Sequence, residues 1–271
     1  MSQALVLESL TAVRGAPLFT PIDYLVQPGT LLGIVGPNGA GKSSLLGAIA
    51  GTGGVRQGVV RYGSKDLARL PSRHRARTIS LMNQESTAPN ELRAIDVVGI
   101  GAQAGAAANG SAADVAHHAL ASLEIEHLAM RVCSTLSGGE RQLVQVARVL
   151  AQGAPVMLLD EPTSALDLGH QLTVMHALHE RAAAGHIVVV TMHDLTQALR
   201  WATLIALVSS GTVEIGAPES VIHPDVVRKA YGVEAEVFDS PTGSPTLSLV
   251  RPKGLSPVFP VHMMPTASRR S

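Results

Sequence analysis

Short continuous apolar runs alternate along this chain with longer stretches in which apolar residues recur every three or four positions, and the two rhythms predict two kinds of element. Runs of strand character fall at residues 4–10, Ile22–Val26, Leu31–Val35, 58–63 and 78–82. Those before and just after the first helix lie close together and are separated by turn residues such as Gly15, Pro17 and Pro28-Gly29, which predicts an antiparallel β layer. That helix covers residues 44–50 and is stopped by Gly51. From Ala94 to Ala151 alanine-rich helical spacing takes over without a convincing strand, so the region reads as a helical insert. Its stretch 101–110 is Gly and Ala apart from Gln103 and Asn109, which fits a weak helix and a flexible loop equally well.

Val156–Leu159 and residues 187–190 are apolar at every position, with helical spacing over 171–184 between them. Strands without a polar face are buried on both sides, so these two predict members of a parallel sheet. Residues 204–208 and 213–215 flank the turn Ser209-Ser210-Gly211-Thr212 and predict a hairpin. Residues 246–250 have the composition of one last strand, whereas 252–271 are rich in proline without periodicity and predict a disordered tail.

With 271 residues and 46% hydrophobic content the chain can bury one substantial core carrying an inserted subdomain. Its 21 basic and 21 acidic residues balance, so the totals carry no footprint for nucleic acid or anionic lipid. Cys133 stands alone, which excludes an internal disulfide framework and assigns it to packing. No basic segment precedes the first apolar run and nowhere do 18 apolar residues follow one another. The chain therefore reads as soluble and cytoplasmic, with any membrane role supplied by a partner. His117, His118 and His127 lack accompanying Cys or acidic clusters and read as ordinary helix residues rather than metal ligands.

Candidate chemistry begins at Gly36-Pro37-Asn38-Gly39-Ala40-Gly41-Lys42-Ser43-Ser44, which meets the phosphate-binding pattern G-x-x-x-x-G-K-[ST] between an apolar strand and a helix. Glycines there let backbone N–H groups converge on phosphates at the positive end of the helix dipole. Lys42 is the candidate for the β- and γ-phosphates, and Ser43 for Mg²⁺, a hard cation that takes oxygen ligands. Val156–Leu159 ends in Asp160-Glu161-Pro162. One carboxylate at such a strand end can hold the hydrated metal, here Asp160, while Glu161 can polarise an attacking water. Leu136-Ser137-Gly138-Gly139-Glu140 has capping-box spacing, between Ser137 and Glu140, before an apolar-striped helix over 141–150, with Gly138 and Gly139 leaving backbone N–H groups open to an anion.

Together these stretches resemble the ATP-binding cassette (ABC) ATPases, over roughly residues 3–235. Further matches follow in order: Gln84 for the glutamine loop, Ser164-Ala165-Leu166-Asp167 for the Asp-loop, and Thr191-Met192-His193-Asp194 for the switch histidine. The resemblance implies an α/β fold, with a phosphate-loop (RecA-like) ATPase core, an antiparallel β subdomain and an inserted α-helical subdomain at about residues 85–149. It places the nucleotide-binding domain at 1–235 and leaves 236–271 as a partly disordered extension. Gln84, Glu161 and His193 become the catalytic set, with His193 at the γ-phosphate and Gln84 also at the metal and at the transmembrane partner. Ser137, Gly138, Gly139 and Asp167 become contacts to ATP held by a second copy, in a head-to-tail homodimer with ATP and Mg²⁺ at its interface. Residues 192–198, 218–222 and 230–233 look like the ATPases of importers for ferric siderophores, haem and cobalamin. Such subunits work at the cytoplasmic face of the membrane through two permease subunits, and indirectly with a substrate-binding protein.

Two positions depart from the family pattern. Asn83 stands where proline usually precedes the glutamine, and Arg14 where an aromatic normally stacks on adenine. A guanidinium can stack on a base, and Phe19 or Tyr24 is the alternative source of a ring. A soluble cassette acting on DNA or ribosomes is the rival function. It is disfavoured by the single cassette, the lack of a coiled-coil insert and the neutral charge balance. A non-catalytic regulatory cassette would be expected to lose Glu161 or His193, and both are present.

Overall fold

The computed structural model describes residues 3–52, 55–83, 91–105, 111–240, 243 and 245–250. In chain order its elements begin with β1 (Leu5–Arg14), β2 (Ala16–Pro17), β3 (Ile22–Val26), β4 (Leu31–Val35), α1 (Lys42–Ala50), β5 (Val55–Tyr62), β6 (Lys65–Asp66), α2 (Ser72–Ala76) and β7 (Ile79–Met82). The insert carries α3 (Ala94–Ala104), α4 (Ala112–Ala121) and α5 (Gly138–Gln152). There follow β8 (Val156–Leu159), α6 (Leu168–Ala183), β9 (Ile187–Thr191), α7 (Leu195–Trp201), β10 (Leu204–Ser209), β11 (Thr212–Gly216), α8 (Pro218–Val221), α9 (Pro224–Tyr231), β12 (Ala235–Asp239) and β13 (Pro245–Leu249).

Two sheets sandwich α1. The first is antiparallel, in the order β2-β1-β5-β6 with β3 also on β1; the second runs β11-β10-β4-β9-β8-β7, parallel except for β11. Leu31–Val35, grouped by its nearness in sequence with the antiparallel layer, pairs instead in parallel with β9 and β10, and along these apolar strands successive side chains leave opposite faces. Leu32, Ile34, Leu158, Val189 and Val208 pack with α1 and the antiparallel sheet; Leu31, Val35, Leu159, Val190 and Leu207 pack with the helices on the other side.

The helical insert docks through α5, whose stripe Leu143, Val144, Ala147, Leu150 and Ala151 is buried. Polar links fix it to the end of α2 and to β7: Gln152 Nε2 donates to the carbonyls of Ala76 and Ile79 at 2.6 and 2.9 Å, and Arg148 to Leu81 O at 2.9 Å. The undecided stretch 101–110 resolves in part, since α3 continues to Ala104. Gly101 lies on the Arg148 backbone so closely that a Cβ there would collide with its carbonyl, so a glycine lets α3 approach α5. Residues 106–110, Gln84 and the proline-rich 252–271 lie outside the described residues.

Helix starts differ from the pattern reading by up to three residues. The helix at 171–184 begins instead at Leu168, because Asp167 caps it, accepting from His170 N at 2.9 Å, and Leu168 itself is 78% exposed and off the buried stripe. The strand suggested at 246–250 is β13, which pairs with β12 and reaches α7 through Thr196 Oγ1 and Leu247 at 3.4 Å. Among the described residues no helix is long and apolar enough to cross a membrane.

Candidate active site

Three neighbouring parallel strands, β4, β9 and β8, end side by side, with Ile34 opposite Thr191 and Val190 opposite Leu159. Ligands of open α/β sheets bind at such carboxyl ends. From β4 the chain enters the loop 36–44. Gly36 has φ 150° and abuts the Val208 carbonyl, where a Cβ would not fit; Gly41 has φ 107°, a conformation only glycine adopts readily, and it launches α1. Lys42 is 6% exposed, and its Nζ donates to the carbonyls of Gly36 and Pro37 at 2.9 and 3.2 Å. Burial lowers the Lys42 pKa, and the nearby Glu161 and Asp160 carboxylates oppose the shift. The ammonium thus sits inside the cradle, curled onto its rim.

The carboxylates follow β8. Asp160 Oδ1 accepts from Ser43 Oγ at 3.1 Å and from Thr191 Oγ1 at 2.6 Å. Thr191, 1% exposed at the end of β9, accepts in turn from Glu161 N at 2.7 Å. Since a backbone N–H can only donate and a carboxylate only accept, the hydroxyl's orientation is set by its neighbours. Glu161 itself has φ 49°, and its Oε1 lies 2.5 Å from His193 Nε2. Ser43, Asp160, Glu161 and His193, assigned from separate stretches, therefore meet around one point beside the Lys42 ammonium. A hard divalent cation suits the Ser43 and Asp160 oxygens.

The remaining candidates stand apart from this point. Ser137 caps α5, accepting from Glu140 N at 3.2 Å while Glu140 Oε2 accepts from Ser137 N at 2.6 Å. That backbone bond, the Ser137 hydroxyl and Arg131 hold the Glu140 carboxyl below its usual pKa. Gly138 and Gly139 open the same helix. Asp167 is held below its usual pKa by the His170 N–H and ring. Arg14 is exposed at the end of β1, paired with Ala16. Of the rings weighed against it, Phe19 is 3% exposed in the core beneath the antiparallel sheet, so its face is taken by packing. Tyr24 is half-buried against the same core.

Two residues near the site were missed in the sequence. Thr191 was legible only as the start of the switch motif, and Leu18 carried no signal. Leu18 Cδ1 lies 3.7 Å from where a Cβ on Gly41 would be, so Leu18 borders the phosphate loop.

A family model described as ABC transporter matches residues 19–164. A hemin import ATP-binding protein, HmuV, of Bordetella parapertussis is 42% identical over 248 residues, covering 86% of this chain and 94% of that protein. HmuV of Myxococcus xanthus is 40% identical, covering 89% and 93%. Among solved structures, a metal-chelate type ABC transporter in an inward-facing conformation superposes with TM-score 0.76 at 26% identity, over 92% of this chain and 98% of that one. A dimeric bacterial ABC transporter cassette gives TM-score 0.70 at 25% identity, over 79% and 98%.

Proposed function

The chain belongs to the ABC transporter family and is an ATPase, and on that premise we propose that it is the energy-coupling subunit of a membrane importer for an iron chelate, either haem or a ferric siderophore. The cargo class is taken from the hemin import relatives and the metal-chelate transporter. The observation that carries the catalytic reading is the meeting of Ser43, Asp160, Glu161 and His193 beside Lys42.

In this reading the N–H groups of the loop 36–44 cradle the triphosphate, and Lys42 exchanges the Gly36 and Pro37 carbonyls for β- and γ-phosphate oxygens. Mg²⁺, when bound, neutralises charge on those phosphates, and Ser43 and Asp160 are the residues that would hold it. Glu161 polarises the water, and His193, hydrogen-bonded to it, orients that water at the γ-phosphate. Gln84 is assigned to the metal and to the joint with the permease. Ser137, Gly138 and Gly139 at the start of α5 take the γ-phosphate bound by a second copy, with Asp167 close to the same interface, so two nucleotides are enclosed head to tail. Two permease subunits hold the dimer at the cytoplasmic face of the membrane, and a binding protein delivers cargo from the other side.

The test is reconstitution with the permease subunits in liposomes, loading haem or a ferric siderophore outside. ATP-driven uptake of one cargo, lost with Glu161→Gln, is the expected result. A coupled ATPase that transports neither would overturn the cargo class.

A further inference from the structure

Glu161 holds a left-handed backbone, φ 49°, that residues with a Cβ rarely adopt, so its surroundings must fix it. They do so from both sides. Thr191 takes the Glu161 N–H at 2.7 Å, and Gln142, in the second turn of α5, donates Nε2 to the Glu161 carbonyl at 2.6 Å. The same amide accepts at Oε1 from Ala165 N at 3.2 Å. Ser164 Oγ adds a bond to the Glu161 carbonyl at 3.1 Å. One turn before Gln142, Gly139 lies so close to the Ala165 carbonyl that a Cβ there would stand 2.9 Å from it. The start of α5, the segment 164–167 and the Glu161 backbone are thus one packed unit.

We propose that Gln142 is a positioning residue for ATP hydrolysis, tying the signature end of α5 to the backbone that aims the Glu161 carboxylate. The residue type supports this, because a side-chain amide carries a donor and an acceptor on separate atoms and serves both the Glu161 carbonyl and the Ala165 N–H in one orientation. Glutamate would keep the acceptor for Ala165 and lose the donor to Glu161. Methionine would keep the length and lose both. In the proposed head-to-tail dimer, on which this consequence rests, the α5 N-terminus faces the partner's γ-phosphate, so Gln142 would carry the state of one nucleotide site to the catalytic glutamate of the other. The inference rests on Glu161 as the water-polarising group.

The experiment is a double-mutant cycle on the full chain, with steady-state ATPase rates, fluorescent-ATP affinity and thermal unfolding measured for each variant. Gln142→Met and Gln142→Glu are expected to lower kcat at least tenfold while KM and nucleotide affinity stay within twofold. In the Glu161→Gln background neither should change the residual rate by more than twofold, because the group it positions is already gone. Independent losses that multiply in that background, or a loss carried by KM, would overturn the assignment alone. An enzyme that stays near normal with Glu161→Gln by itself overturns both the assignment and the reading beneath it.

Discussion

Thr191→Val swaps a buried hydroxyl for a methyl of nearly the same shape, so it isolates the hydrogen bonds from the packing. Two contacts go: the donor to Asp160 at 2.6 Å and the acceptor for Glu161 N at 2.7 Å. A hydrogen bond to a charged group is worth about 1.5–3 kcal/mol, and an N–H left unpaired in a buried site costs about 1–3 kcal/mol. The two losses overlap, so destabilisation of about 3–4 kcal/mol is expected, a fall in Tm on the order of 10 °C for a chain of this size. Catalysis should suffer separately, because Asp160 loses one of two hydroxyls that orient it and Glu161 loses one of the bonds fixing its backbone. If about 2 kcal/mol of that ordering is needed in the transition state, kcat falls roughly thirtyfold. Thr191→Ser restores the hydroxyl and removes only a methyl, so it should cost about 1 kcal/mol of stability and keep most of the rate. Thermal unfolding with steady-state ATPase measurements below both midpoints separates the two effects. A valine variant within twofold of the parent rate, or a serine variant as slow as valine, would show that the Thr191 hydroxyl does not order the site.

Lys42→Ala should weaken ATP binding itself, since the β- and γ-phosphates lose a charged contact; unchanged nucleotide affinity by titration would contradict its assignment. Arg14→Tyr should tighten nucleotide binding by roughly 1 kcal/mol, and the parent should hydrolyse GTP within about tenfold of ATP, because an arginine platform discriminates bases loosely. Strong ATP preference with no response at Arg14 would move base recognition away from Arg14, to a ring such as Tyr24. Removal of residues 252–271, a proline-rich stretch with no periodic apolar face, should leave the ATPase rate unchanged; a loss of activity or of dimer on truncation would show that it packs.

What was legible in the sequence was whatever one strand or one loop writes locally. The apolar runs at β8 and β9 marked a sheet buried on both faces, and the motifs after β4, β8 and β9 named Lys42, Ser43, Asp160, Glu161 and His193. What was not legible depends on who sits opposite whom. Thr191 is an ordinary strand residue until the register sets it across from Ile34 and beside Asp160. Gln142 looks like one more polar helix position until α5 docks on the segment 164–167. Asp167 read as a loop residue, although its side chain starts α6, because the leucine that follows it, Leu168, is exposed and lies off the buried stripe that opens at Val174. The short helices α8 and α9 and the strand β12 escaped pattern reading because four to eight residues give periodicity too little length.

Whether Glu161 drives hydrolysis in a dimer that ATP closes is read from the mass of the Glu161→Gln chain in solution. With Mg-ATP it should sediment at about twice its 28.2 kDa, with nucleotide trapped and phosphate release nearly abolished, and return to monomer when ATP is withdrawn. A variant that stays monomeric with Mg-ATP, or that releases phosphate at the parent rate, would contradict that mechanism.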